Sequence, residues 1–210
     1  MKLKILALAA MANLMMLTSP IVSAIVITPK SVVASSTFIN SDADNLINSV
    51  GMDNQLHNTD FDNMWLSNQS ITATLTFDLG SVYDLSGAYV WQYNPDNATT
   101  TSGVKQFNIL TSLDGLDFVP VFSATLAQGS GVAGWFEPEF KAFSQTAQYV
   151  QFSILSNYGS SYSGLSEVKF ETGVSVPEPQ VMGLLALSLL GLLALRAKTG
   201  FSQRSMALPF

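Results

Sequence analysis

The sequence contains no cysteine and one histidine, and no arginine occurs between residues 25 and 176. Without thiols there is no disulfide, no thiolate metal centre and no cysteine nucleophile. A domain of this composition must be held together by its core. The lone His57 excludes a multi-histidine metal centre, and with only Asp53 and Asp60 near it in sequence it is a weak base for a serine triad. It reads as a surface or loop-bracing residue. The missing arginine removes the usual bidentate clamp for carboxylates and phosphates. Positive charge is scarce altogether, because Lys30, Lys105, Lys141 and Lys169 face fourteen Asp and Glu in the same stretch, a formal net charge of −10. That balance repels nucleic acid and anionic lipid. It suits solubility, and it also suits binding of a divalent cation.

The apolar runs are confined to the two ends. Lys2 and Lys4 precede an apolar stretch from Ile5 to Leu17 and a small-residue site at Val22-Ser23-Ala24, the pattern of a secretory signal peptide over residues 1–24, to be removed by signal peptidase. At the other end Pro177-Glu178-Pro179 is followed by the apolar run Val181 to Leu195 and by Arg196 and Lys198. This box, run and basic stop over residues 175–210 resemble a PEP-CTERM sorting signal. That resemblance implies processing by an exosortase-type enzyme and transient anchoring in the inner membrane through a transmembrane helix. Fifteen helical residues reach roughly 22 Å against a hydrocarbon core of ~30 Å, so the helix would sit marginally. A plain single-pass anchor gives the same topology, with the body outside the cytoplasm.

The body, residues 25–174, is sized for one domain. Ile71 to Phe77 alternates apolar and polar residues with a period of two, and Val104 to Leu110 and Tyr149 to Leu155 are similarly rich in β-formers. Further strands are expected at 25–34, 82–92, 117–126, 132–142 and 162–171, separated by turns at Asp78-Leu-Gly80, Asp114-Gly115 and Asn157-Tyr-Gly159. Helical periodicity is scarcely visible, and the pattern predicts an all-β antiparallel sandwich. Residues 35–68 are polar and irregular, and read as an ordered loop region with one helical turn.

Trp65-Leu-Ser67, Leu75-Thr-Phe-Asp-Leu-Gly80, Val90-Trp-Gln-Tyr-Asn94, Thr111-Ser-Leu-Asp-Gly-Leu-Asp-Phe118 and Gly164-Leu-Ser-Glu-Val-Lys-Phe170 follow one another as in discoidin, or factor 5/8 type C, domains. The resemblance covers nearly the whole body and implies a galactose-binding-like jelly-roll β-sandwich. It also implies a structural calcium ion, whose ligands carry over to Asn58, Asp60, Asn63 and Glu167. Two of these positions hold Asn where the family has Asp and Thr.

For ligand binding, the resemblance points to loops at one end of the sandwich, with Tyr93, Asn94, Asp96 and Asn97 on one loop and Tyr158 and Tyr162 on another. Aromatic and amide groups of this kind suit a sugar ring. Trp65 and Trp91 read instead as core. The histidine and arginine that many sugar-binding relatives use are replaced by Leu66 and by no arginine at all, so sugar specificity does not carry over. The paired carboxylates Glu137 and Glu139 flank Pro138 and resemble glycosidase equipment by residue type alone. The expectation is an exported, non-enzymatic protein that binds extracellular polysaccharide. The alternatives are a structural surface or biofilm-matrix protein without a ligand pocket and, more remotely, a small secreted hydrolase.

Overall fold

Eleven strands and three single-turn 3₁₀ helices make up residues 24–96 and 98–173, which are the residues described by this computed structural model. The strands are β1 (Val26–Ile27), β2 (Ser31–Ala34), β3 (Met52–Asp53), β4 (Leu56–Asn58), β5 (Trp65–Leu66), β6 (Ala73–Gln92), β7 (Val104–Ser112), β8 (Val119–Thr125), β9 (Trp135–Phe136), β10 (Glu139–Asn157) and β11 (Gly164–Thr172). All strand pairings are antiparallel.

Two long strands build both layers. The first half of β6 pairs with β2 and with the second half of β10, which continues through β7 to β8. The second half of β6 pairs with β11 and with the first half of β10, and β11 also carries β1 and β5. The change of layer falls at register shifts, where Ala147 is opposite Tyr83 and Tyr149 is opposite Asp78. Gly80 sits in that step with φ +80°, and Asp78 Oδ1 accepts the Gly80 amide at 2.7 Å. The Asp78-Leu-Gly80 signal therefore marks a bulge that bends one strand, where the sequence suggested a turn between two.

Period-two burial accounts for the core. Ala73, Leu75, Phe77 and Leu79 of β6 point inward, as do Val150, Phe152 and Ile154 of β10. Phe170 of β11 meets Phe77 at 5.5 Å and Phe152 at 6.1 Å between ring centroids, and Phe107 of β7 meets Phe152 at 4.8 Å. These contacts close one layer on the other. Each such ring contributes about 1.5–3 kcal/mol through burial. The Asp114-Gly115 hairpin also forms as the sequence suggests, with Gly115 at φ +76°.

Residues 35–68 hold more structure than a loop with one turn. They contain 3₁₀ turns at Ala43–Leu46 and Phe61–Asn63, the hairpin β3–β4 and strand β5. The expected strand at 132–142 divides into β9 and the start of β10. A second sheet, β3–β4–β9, results. Strands of two or three residues carry no readable alternation.

The expected C-terminal transmembrane helix is withdrawn. Pro177, Glu178, Pro179, the apolar run and Arg196 lie outside the described residues, as do residues 1–23 of the expected signal peptide. Among the described residues no helix is long and apolar enough to cross a membrane. The run itself falls short of the hydrocarbon core by roughly 8 Å. The inner-membrane anchoring built on that helix is withdrawn with it.

Candidate functional site at the loop end

The segments joining the two layers gather beyond β6, β7 and β11, and side-chain bonds to the backbone set their shape. Gln92, at the end of β6, is buried. Its Nε2 donates to the carbonyls of Val104 at 2.8 Å and Ala127 at 2.6 Å, and its Oε1 accepts the Tyr93 amide at 3.0 Å. The Asp96 amide donates to the Thr59 carbonyl at 3.2 Å, and the Gly134 amide donates to Thr59 Oγ1 at 3.2 Å. Thr59 is thus the point where the 93–103 and 127–134 loops meet the 58–64 segment.

Tyr93 and Asn94 serve this bracing. Tyr93 is buried with Met64 and Leu66 in a small second core, flanked by Phe38, Phe61, Phe136 and Tyr162. Burial pushes its phenol up to about 12, so the ring stays neutral. Gly164 is required beside it, because a Cβ there would lie 2.6 Å from Tyr93 Cδ2. Asn94 is buried too, and its Oδ1 accepts the Gly131 amide at 2.7 Å. Tyr158 is half-buried, donates its hydroxyl to the Leu126 carbonyl at 2.6 Å and lies under the Lys105 ammonium at 5.5 Å. Tyr162 stacks edge-on against Phe38 at 5.7 Å. Asp96 is exposed, and Asn97 lies outside the described residues.

The group that sequence reasoning passed over is Trp135. It is 54% exposed, on β9 opposite Asn58. Thr59, next to Asn58, bonds both the residue before Trp135 and Asp96, while Asp60 is exposed on the other side of Thr59. An exposed indole on a segment tied through Thr59 to those of Asp60 and Asp96 is chemically suited to a sugar's apolar face and hydroxyls. The signal lay in Gly131-Val-Ala-Gly134, a flexible, chargeless approach to a tryptophan. The other two tryptophans are core, as expected, at no more than 2% exposure.

His57 is fully buried, with Nδ1 2.7 Å from the Asn58 carbonyl and its ring against Phe136. Burial holds its pKa below the ordinary value, so it is neutral and structural. Glu139 accepts the Ala127 amide at 2.7 Å and pairs with Lys141 at 2.8 Å.

Of the four expected calcium ligands, Asn58, Asp60 and Asn63 are joined by hydrogen bonds, and Glu167 is engaged by Ser49 and Lys169. Asn63 turns its Nδ2 donor toward Asn58 Oδ1 at 3.3 Å, and that oxygen also accepts the Asp60 amide. Asp60 Oδ1 caps the Asp62 amide. Glu167 is fully buried and bonded to Ser49, whose amide and hydroxyl each lie 3.3 Å from it, and Lys169 Nζ stands 3.8 Å from Oε1. Calcium takes about six to eight oxygens. A divalent ion on that carboxylate would share it with the Lys169 ammonium, whose like charge repels it. Among the described residues no three acidic or histidine side chains group to hold a metal.

The antiparallel sandwich with its loops gathered at one end defines the class of fold. Residues 31–168 match the F5/8 type C domain, and the chain belongs to that family. Its fold resembles the CBM32-3 module of a Clostridium perfringens family 31 glycoside hydrolase, at 20% identity and a TM-score of 0.54 over 70% of this chain and 95% of that one. It also resembles the family 32 module of C. perfringens NanJ, solved with galactose, at 11% identity and a TM-score of 0.55 over 71% and 99%. A fucose-binding module of Streptococcus pneumoniae matches at 16% identity and a TM-score of 0.51 over 69% and 92%. No curated protein matches the chain. The three structural relatives are described as carbohydrate-binding or fucose-binding modules. The family match ends at residue 168, and the PEP-CTERM assignment, with its exosortase partner, is withdrawn.

Proposed function

We propose that this domain binds a neutral extracellular polysaccharide at its loop end. The observation that carries the reading is Trp135, a largely exposed indole paired opposite Asn58, on a segment that Thr59 ties to the backbone of Asp96. Burying even half an indole against a sugar ring contributes about 1–3 kcal/mol. The body's net charge of −10 disfavours anionic polymers. Glycan-binding relatives of the same fold support the reading, as does the basic and apolar start of the chain for export. Tyr93, Asn94 and Tyr158 act as the frame behind this surface, and Tyr162 flanks it.

Affinity electrophoresis in a panel of neutral and acidic polysaccharides tests the proposal. Retardation by a neutral polymer, lost by at least about tenfold in affinity for Trp135→Ala while the melting temperature holds, is the expected result. Equal retardation of wild type and Trp135→Ala would move the site elsewhere. No retardation by any polymer would favour the reading as a structural matrix protein. That second reading has its own support in the internal use of Tyr93, Asn94 and the Tyr158 hydroxyl.

A further inference from the structure

We propose that the Lys169 ammonium is the resident cation of this domain, fastening the loop that runs from Ser49 to Asn63 onto β11 where the family resemblance places a calcium ion. Glu167 and Lys169 are two residues apart on β11, so their side chains leave the same face of the sheet. The carboxylate is fully buried, and the lysine side chain is 15% exposed. Three groups meet the carboxylate: the Ser49 amide, the Ser49 hydroxyl and the lysine. Two come from the loop and one from the strand, so the carboxylate joins them.

The same ammonium lies 5.8 Å from the centroid of the Trp91 ring. Trp91 Nε1 in turn donates to the Gln55 carbonyl at 3.0 Å, within the β3–β4 hairpin. The lysine therefore touches both attachments of this loop to the main sheet. Gly51, between them, has φ +82°, and a Cβ there would lie 2.7 Å from Asn58 Oδ1. That packing leaves the amides facing each other. A buried carboxylate left alone is strongly destabilising, whereas one paired and hydrogen-bonded is tolerated. The inference concerns how the loop is held and does not depend on glycan binding.

Thermal unfolding of the full-length protein tests it. Wild type should melt within about 1 °C of the same temperature in chelator and in millimolar calcium, because a site that is not bound gives no linkage stabilisation. At pH 8, above the range in which Glu167 is protonated, Lys169→Met should melt about 6–12 °C lower, having stranded the carboxylate. The double variant Glu167→Gln/Lys169→Met should regain most of that loss, and it remains measurable if the single variant does not fold. A wild-type melting temperature that falls in chelator and returns with calcium would overturn the proposal. So would a Lys169→Met protein as stable as wild type, or a double variant no more stable than the single one, since the lysine would then matter only for its packing on Trp91.

Discussion

The two hydrophobic clusters of this domain are built by different rules. The main core lies between the layers and is made of Phe77, Phe107, Phe152, Phe170 and the aliphatic residues around them, drawn mainly from long strands of regular alternation, with Ala43 and Leu46 of a 3₁₀ turn and Trp65 of β5 added at its edge. The smaller one, around Met64, Leu66 and Tyr93, draws its partners Phe38, Phe61, Phe136 and Tyr162 mainly from short strands and irregular segments. In the first, position follows from the pleat, and side chains need only fill volume. In the second, position follows from side-chain bonds to backbone groups, such as Asn94 to Gly131. The large core supplies stability, and the small one supplies the shape of the loop end.

The sharpest way to break this contrast is to hollow each cluster in turn. Phe152→Ala removes a ring in contact with Phe77, Phe107 and Phe170, and should lower unfolding free energy by about 3–5 kcal/mol in urea titrations. A loss below about 1 kcal/mol would mean that the layers are not closed by that ring.

The next effect comes from outside both clusters, at Glu167. Burial pushes its carboxyl up to about 7, with Lys169 and Ser49 offsetting only part of the shift. The folded state thus holds a proton that the unfolded state has released, and stability falls as pH rises from about 4.5 through 7. At about 1.4 kcal/mol per pH unit the full change is about 3 kcal/mol. His57 works in the opposite sense, because its lowered pKa makes stability fall as pH drops below 6.5. Comparing wild type with Glu167→Gln at pH 5 and pH 8 isolates the glutamate, and parallel pH profiles would refute its contribution.

Gly164→Ala probes the small cluster directly. The added Cβ meets the Tyr93 ring and, at 2.9 Å, the Trp65 carbonyl. A cost of about 1–3 kcal/mol is expected, together with weakened polysaccharide retention. Stability and retention both unchanged would show that the loop end absorbs the displacement. Smallest in stability is Trp135→Ala, expected within about 0.5 kcal/mol of wild type by urea titration. A larger loss would make Trp135 part of the small cluster and weaken its claim as a platform.

The same division explains what was legible in the sequence. Ile71 to Phe77, Val104 to Leu110 and Tyr149 to Leu155 announce strands because one face of each is buried and the other is not. The order of the Trp65, Trp91, Asp114-Gly115 and Glu167 motifs gave the family. Asp78-Leu-Gly80 misled, since the residues that make a turn also make a bulge. At the loop end, residue type alone does not separate a buried tyrosine or asparagine from an exposed one, and the burial of Tyr93 and Asn94 was not legible for that reason. Trp135 was missed because β9 is two residues long and pairs only with β4, itself three residues long and far away in sequence.

The Gln92 amide has a further consequence for how this surface could change. It ties the root of the 127–134 segment to β7, while Asn94 and Thr59 clip that segment at Gly131 and Gly134. Between those clips Val132 and Ala133 stand in solvent. The stretch is an exchangeable fingertip on a fixed knuckle: new residues there would alter what is grasped while the sandwich beneath keeps every bond it has.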